Sequence, residues 1–164
     1  WWVPGWSVME GLMRIVIAAL GRARRGPIHD LSAEYAKRLS WTVDLREVEP
    51  KKRLDGAELS AHEADLLRAQ IPDGAILVAM DERGRDLTSQ DFAKTLGRWR
   101  DDGRGTVAFL IGGAFGLDPA LRAEADLVLS FGKATWPHLL VRAMLIEQVY
   151  RAETILVGHP YHKP

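Results

Sequence analysis

The sequence predicts an α/β protein, an open and mostly parallel sheet with helices on both faces. Two patterns carry that expectation. Short, nearly continuous apolar runs recur at 14–20, 75–80 and 106–111, as in strands buried on both faces. Segments of helical period separate them, and strands alternating with helices in this rhythm build parallel sheets.

The elements follow in order. The run 14–20 is closed by Gly21, and Pro27 then opens a helix in which Ile28, Leu31, Tyr35 and Leu39 recur on one face. Residues 43–48 alternate with period two, which predicts a strand near an edge, ended by Pro50 and the triplet Lys51, Lys52, Arg53. A helix is expected over 57–70, and Pro72-Asp73-Gly74 turns the chain into the strand 75–80. Thr88 with Asp91 resembles a capping box for a helix to about Arg100, broken by Gly103 and Gly105. After the strand 106–111, Asp118 and Pro119 form an N-cap and N1 pair for a short helix to Ala125, and 127–130 is a last short strand. Pro137 starts a long helix to about Ala152, with Thr135 as its cap and Trp136 as a staple, followed by a polar tail.

At 164 residues the chain fits one domain. Residues 1–12 hold three of the six tryptophans but follow neither period, so they are expected to be an extension outside a single domain spanning 13–164. They have the makings of neither a signal peptide nor a membrane span. The lack of cysteine excludes disulfides, thiolate metal sites and cysteine nucleophiles, and accords with a cytoplasmic location. Twenty-two basic residues balance 22 acidic ones, so a nucleic-acid partner would be met by local patches rather than a broadly basic surface. Arg22, Arg24 and Arg25 form one such patch, and Lys51, Lys52 and Arg53 another, although solvated loop charge is the plainer reading of both.

Chemistry is expected in the last third. Gly112, Gly113 and Gly116 follow one buried strand, and Gly132 and Lys133 follow another. In parallel sheets ligands sit at these carboxyl ends of strands. The glycines match neither a dinucleotide fingerprint nor a phosphate-cradling P-loop. In the long helix Glu147, Gln148 and Arg151 share a polar face, while Arg142 points among apolar residues. Arg142 is therefore expected to be buried or at an interface, with a carboxylate or a backbone carbonyl as its partner. The same helix is apolar almost all round, which suggests that a second subunit covers part of it. His138, His159 and His162 have no zinc spacing, and no metal is expected.

Four segments together resemble the RlmH family, the ribosomal large-subunit (23S) RNA pseudouridine N3-methyltransferases, minimal members of the SPOUT or trefoil-knot class. They are Ile111-Gly112-Gly113 with Gly116-Leu117, Leu129-Ser130-Phe131 running into Lys133-Ala134-Thr135-Trp136-Pro137-His138, Ile146-Glu147-Gln148-Val149-Tyr150-Arg151-Ala152, and Tyr161-His162-Lys163. The resemblance implies a C-terminal trefoil knot and S-adenosylmethionine as cofactor, held by Met80, Gly112, Phe131, Gly132, Lys133, Ala134, Thr135 and Trp136. It also implies a homodimer acting on a pseudouridine of the assembled ribosome. Gly132 and Ala134 replace larger residues common in the family.

N3 of a pseudouridine carries a proton and must lose it before it can attack a methyl group. A proton acceptor and a positive neighbour are therefore needed. Tyr161 or His162 from the partner's tail is the expected acceptor, and Arg142 the expected charge stabiliser. Two rival readings are a SPOUT methyltransferase acting on another RNA, such as a tRNA, and a non-catalytic ribosome-binding module.

Overall fold

The computed structural model describes residues 11–163. The expected extension falls almost wholly outside them. The elements are β1 (Arg14–Leu20), α1 (Pro27–Arg38), β2 (Thr42–Val48), α2 (Gly56–Arg68), β3 (Ile76–Asp86), α3 (Ser89–Asp101), β4 (Thr106–Ile111), α4 (Pro119–Ala123), β5 (Leu127–Ser130) and α5 (His138–Val157). All five strands are parallel, in the order β2-β1-β4-β3-β5.

Period-two alternation splits the buried strands between two cores. Ile15, Ile17, Val78, Val107 and Phe109 face Phe92 and Leu96 of α3 and Leu145 and Val149 of α5, with Tyr35 of α1 packed alongside. Val16, Ala18, Leu77, Ala108 and Leu110 face Ala64 and Leu67 of α2 and Leu121 of α4. The helices thus cover both faces, as the near-continuous apolar runs require. Local signals act as read: Thr88 accepts the N–H of Asp91, and Asp118 accepts those of Ala120 and Leu121.

Three local expectations are corrected. Thr135 does not cap α5; the N-cap is Pro137, which has no side-chain bond, and the Thr135 hydroxyl turns away to Glu82. Trp136 is not a buried staple but is 42% exposed. Finally, α5 runs to Val157 and stops at Gly158 in the left-handed conformation, because Ile155 and Leu156 still pack on the core.

Strand β3 is also longer than its apolar run. Met80 and Arg85 both lie beside Leu129 of β5, so residues 81–84 form an arch between two stretches of pairing. Gly84 permits it: a Cβ there would lie 2.6 Å from the Val128 carbonyl oxygen.

Two buried charges tie distant elements together. The Glu153 carboxylate on α5 accepts the backbone N–H groups of Ser40 and Trp41 at 3.0 and 3.1 Å, and the Ser40 hydroxyl. Arg142, only 1% exposed, donates to Glu47 at 2.7 Å and to the carbonyls of Leu20 and Gly21 at 2.6 and 2.8 Å. The expectation of a buried, paired arginine is met. Burial pushes its pKa down, and Glu47 opposes that shift.

Candidate active site

The carboxyl ends of β3, β4 and β5 open into a cleft of about 660 Å³, within the ordinary range for small-molecule sites. Met80 and the arch residues Asp81, Glu82 and Arg83 form one wall, the loop from Gly112 to Leu117 a second, and Phe131 with Gly132 and Ala134 to His138 a third. The apolar floor includes Ile111 and Leu129.

The glycine loops have different local reasons. A Cβ on Gly112 would lie 2.5 Å from the carbonyl carbon of Gly116, so only glycine lets the loop fold back on itself. Gly132 has φ of 99°, and Ser130 brackets it, its hydroxyl donating to the Gly132 carbonyl and accepting the Gly132 N–H. The Asp86 carboxylate accepts that N–H as well. At the lip Trp136 donates its indole N–H to the Phe131 carbonyl at 3.1 Å. Phe115 stands 93% exposed.

The arch supplies carboxylates that the sequence reading did not single out. Asp81 is paired with Arg122 at 3.2 Å, and Glu82 accepts the Thr135 hydroxyl. Their only sequence signal was an acidic pair just after a buried strand.

Of the expected cofactor contacts, Met80, Gly112, Phe131, Gly132, Ala134, Thr135 and Trp136 line the cleft. Lys133, which is exposed, is not among its lining residues. Nor is Arg142, which lies beneath the end of β1 with its guanidinium committed to Glu47 and two carbonyls.

His138 does line the cleft, at the first turn of α5. Burial, and then the charge of Arg142, hold its pKa below 6.5. An unfolded chain would therefore bind more protons in weak acid than the folded one. The His138 contribution is complete above about pH 6.5 and is lost as pH falls toward the lower folded value. His138→Gln is expected to flatten the acid side of a plot of thermal midpoint against pH; a slope identical to the parent's would refute this.

The tail lies apart from the cleft of its own chain. The Tyr161 hydroxyl donates to Glu147 at 2.9 Å, and its ring meets that of Tyr150 edge-on at 4.7 Å. Burial and the bonds to Tyr35 and Glu147 push the Tyr161 pKa well up, so a free phenolate is disfavoured. Arg151, paired with Glu147, sits over the Tyr161 ring and contacts Nδ1 of His162 at 3.2 Å. An arginine can only donate, so His162 accepts through Nδ1 and its neutral form carries the proton on Nε2.

A parallel sheet whose strand ends carry glycine loops around a concave site defines a class of small-molecule-binding α/β proteins. Comparison narrows the class. A family model described as "Predicted SPOUT methyltransferase" matches residues 13–162, and the chain belongs to that family. It is 58% identical over 151 residues to ribosomal RNA large subunit methyltransferase H of Rhodospirillum centenum, covering 92% of this chain and 99% of the relative. It is 57% identical over 152 residues to the protein of the same name from Paramagnetospirillum magneticum, covering 93% of this chain and 100% of that one. Among solved structures, a probable methylase family protein from Haemophilus influenzae superposes with TM-score 0.58 at 16% identity, over 95% of this chain and 72% of that one. A probable methyltransferase from Bordetella pertussis gives 0.54 at 16% identity, over 88% and 98%. Those likenesses bear on the fold, which is the SPOUT-type α/β fold that the sequence resemblance implied.

Proposed function

We propose that this protein methylates N3 of a pseudouridine in large-subunit (23S) ribosomal RNA, on the assembled ribosome, using S-adenosylmethionine. The relatives named as ribosomal RNA large subunit methyltransferases support the substrate class. The observation that carries the reading is the separation of cleft and tail within one chain. The cleft offers a ligand site, whereas Tyr161 and His162 are built into a hydrogen-bonded cluster outside its lining.

The residues of the cleft fit the cofactor. Met80, Ile111, Leu117 and Leu129 give an apolar slot, Asp81 and Glu82 can accept hydroxyl or ammonium hydrogens, and the folded-back loop at Gly112 lets backbone approach closely. When bound there, S-adenosylmethionine supplies an electrophilic methyl group on a sulfonium.

The protein works as a homodimer in this reading. Leu31, Leu140, Met144 and Phe131 line a second, smaller groove across α1 and α5 that a partner's α5 would fill. The tail of one subunit then lies over the cleft of the other. Tyr161 takes the N3 proton on its hydroxyl oxygen as its own proton passes to Glu147, a relay that needs no free phenolate. The Nε2–H of His162 faces the developing negative charge of the ring. Arg142 acts at a distance, by fixing the end of β1.

Zero net charge leaves little nonspecific affinity for free RNA, so binding must come from a composite surface that the particle offers. Ribosomes lacking the modification, incubated with methyl-labelled S-adenosylmethionine, are expected to gain one labelled nucleotide, identified by mass mapping as N3-methylpseudouridine. Protein-free rRNA is expected to gain little; strong labelling of it would overturn the requirement for the particle, and label in a tRNA would overturn the substrate.

A further inference from the structure

The loops after β1 and β2 carry six cationic side chains, Arg22, Arg24, Arg25, Lys51, Lys52 and Arg53, all exposed. The two loops leave the sheet side by side. Leu20 pairs with Val48, and neighbouring strands lie about 5 Å apart. Beyond that register the loops are stitched together, Gly21 N–H to the Val48 carbonyl at 2.8 Å and Arg22 N–H to Glu49 at 3.2 Å.

Two of the nearby carboxylates are already engaged. Glu47 accepts Arg142 and the Ala23 N–H, and Glu49 faces the Arg22 guanidinium at 3.8 Å. Among the described residues, Arg24, Arg25, Lys51, Lys52 and Arg53 make no salt bridge within the 4 Å that defines one. In a chain of zero net charge this is a local concentration of positive charge, with Asp55 the acidic residue next along the second loop.

Its position relative to the cleft is fixed by the sheet. β1 lies next to β4, Ala19 beside Ile111, and a Cβ on Gly113 would touch the Cβ of Leu20 at 3.8 Å. The glycine loop, with Phe115 exposed at its tip, therefore stands between the cationic loops and the rest of the cleft. A cationic surface leading to an exposed aromatic ring and then a concave pocket matches an unpaired RNA strand, whose phosphates need cations and whose bases need a stacking face. A lipid headgroup surface would also attract the charge, but no helix among the described residues has the length and apolarity to cross a membrane, and Phe115 and Trp136 are the large apolar side chains of the cleft lining that are exposed.

We infer that the paired loops 22–25 and 51–53 form the docking surface for the phosphodiester backbone of the substrate RNA, guiding the target nucleoside past Phe115 into the cleft. The inference rests on the reading of the chain as an rRNA methyltransferase and adds where the RNA enters.

The test compares the parent with R24S/R25S/K51S/K52S, whose changes are all at exposed loop positions, after circular dichroism and thermal melting confirm that both are folded. On unmodified ribosomes the variant is expected to raise the apparent KM by on the order of tenfold or more while kcat stays within about twofold and S-adenosylmethionine affinity is unchanged. In sedimentation binding, the slope of log affinity against log salt is expected to become shallower by about 3. Equal KM and equal salt slopes for the two proteins would overturn the inference. So would loss of binding to phosphatidylglycerol vesicles with ribosome binding intact. If the parent transfers no methyl group to rRNA, the reading of its function fails, and the sedimentation slopes still decide whether these loops contact the particle.

Discussion

An equimolar mixture of two inactive variants is expected to regain about a quarter of the wild-type methylation rate, provided that subunits exchange. One variant, Gly112→Val, cannot keep the fold-back of its loop, because even a Cβ would sit 2.5 Å from the Gly116 carbonyl carbon. The other, Tyr161→Ala with His162→Ala, keeps its cleft but loses the polar end of its tail. Random pairing in a twofold dimer makes half the molecules heterodimers, each with one intact cleft facing one intact tail. If the tail served its own cleft, the heterodimers would be dead and mixing would restore nothing. The readout is the initial rate of labelling before and after co-denaturation and refolding, and a flat result would sink the crossed arrangement.

The second large effect is on stability. Arg142→Met is expected to lower the free energy of unfolding by about 3 kcal/mol, because it strips a charge partner from Glu47 and leaves two carbonyls at the end of β1 unsatisfied. In a chain of this size that corresponds to a fall in thermal midpoint of roughly 6–12 °C. Denaturant and thermal unfolding both measure it. A loss below about 1 kcal/mol would show that the neighbouring backbone finds other donors, and that Arg142 is not the structural pin described above.

The sequence signals that held were those with a steric or periodic cause confined to a few residues. The spans 106–111 and 127–130 were read with the boundaries found in β4 and β5, since β-branched and apolar side chains begin and end abruptly there. Arg142 was legible as an anomaly, a charge on the wrong side of its helix, and burial against Glu47 explains it. What escaped depends on long-range partners. Residues 81–86 carry no apolar run of their own, yet they belong to β3 because β5 pairs with its far end. Thr135 had the right chemistry for a cap but found Glu82 on another strand. The tail carries no periodic signal that shows what holds it, and it is held by Glu147, Arg151 and Tyr35 from two different helices. The glycine loops announced a ligand site; the residues lining it from the arch did not.

The arch of β3 has a consequence for how the molecule comes into being. Strand β5 pairs with β3 on both sides of the bend around Leu129, with Gly84 pressed to the Val128 backbone. The pairings that assemble the cleft are remote in the chain, Arg14 with Thr106 and Met80 with Leu129, so folding must close long loops before it is rewarded, and such topologies fold slowly. A nascent chain therefore passes most of its synthesis with the third wall of the cleft still unmade, since β5 and the loop before α5 come late in the sequence.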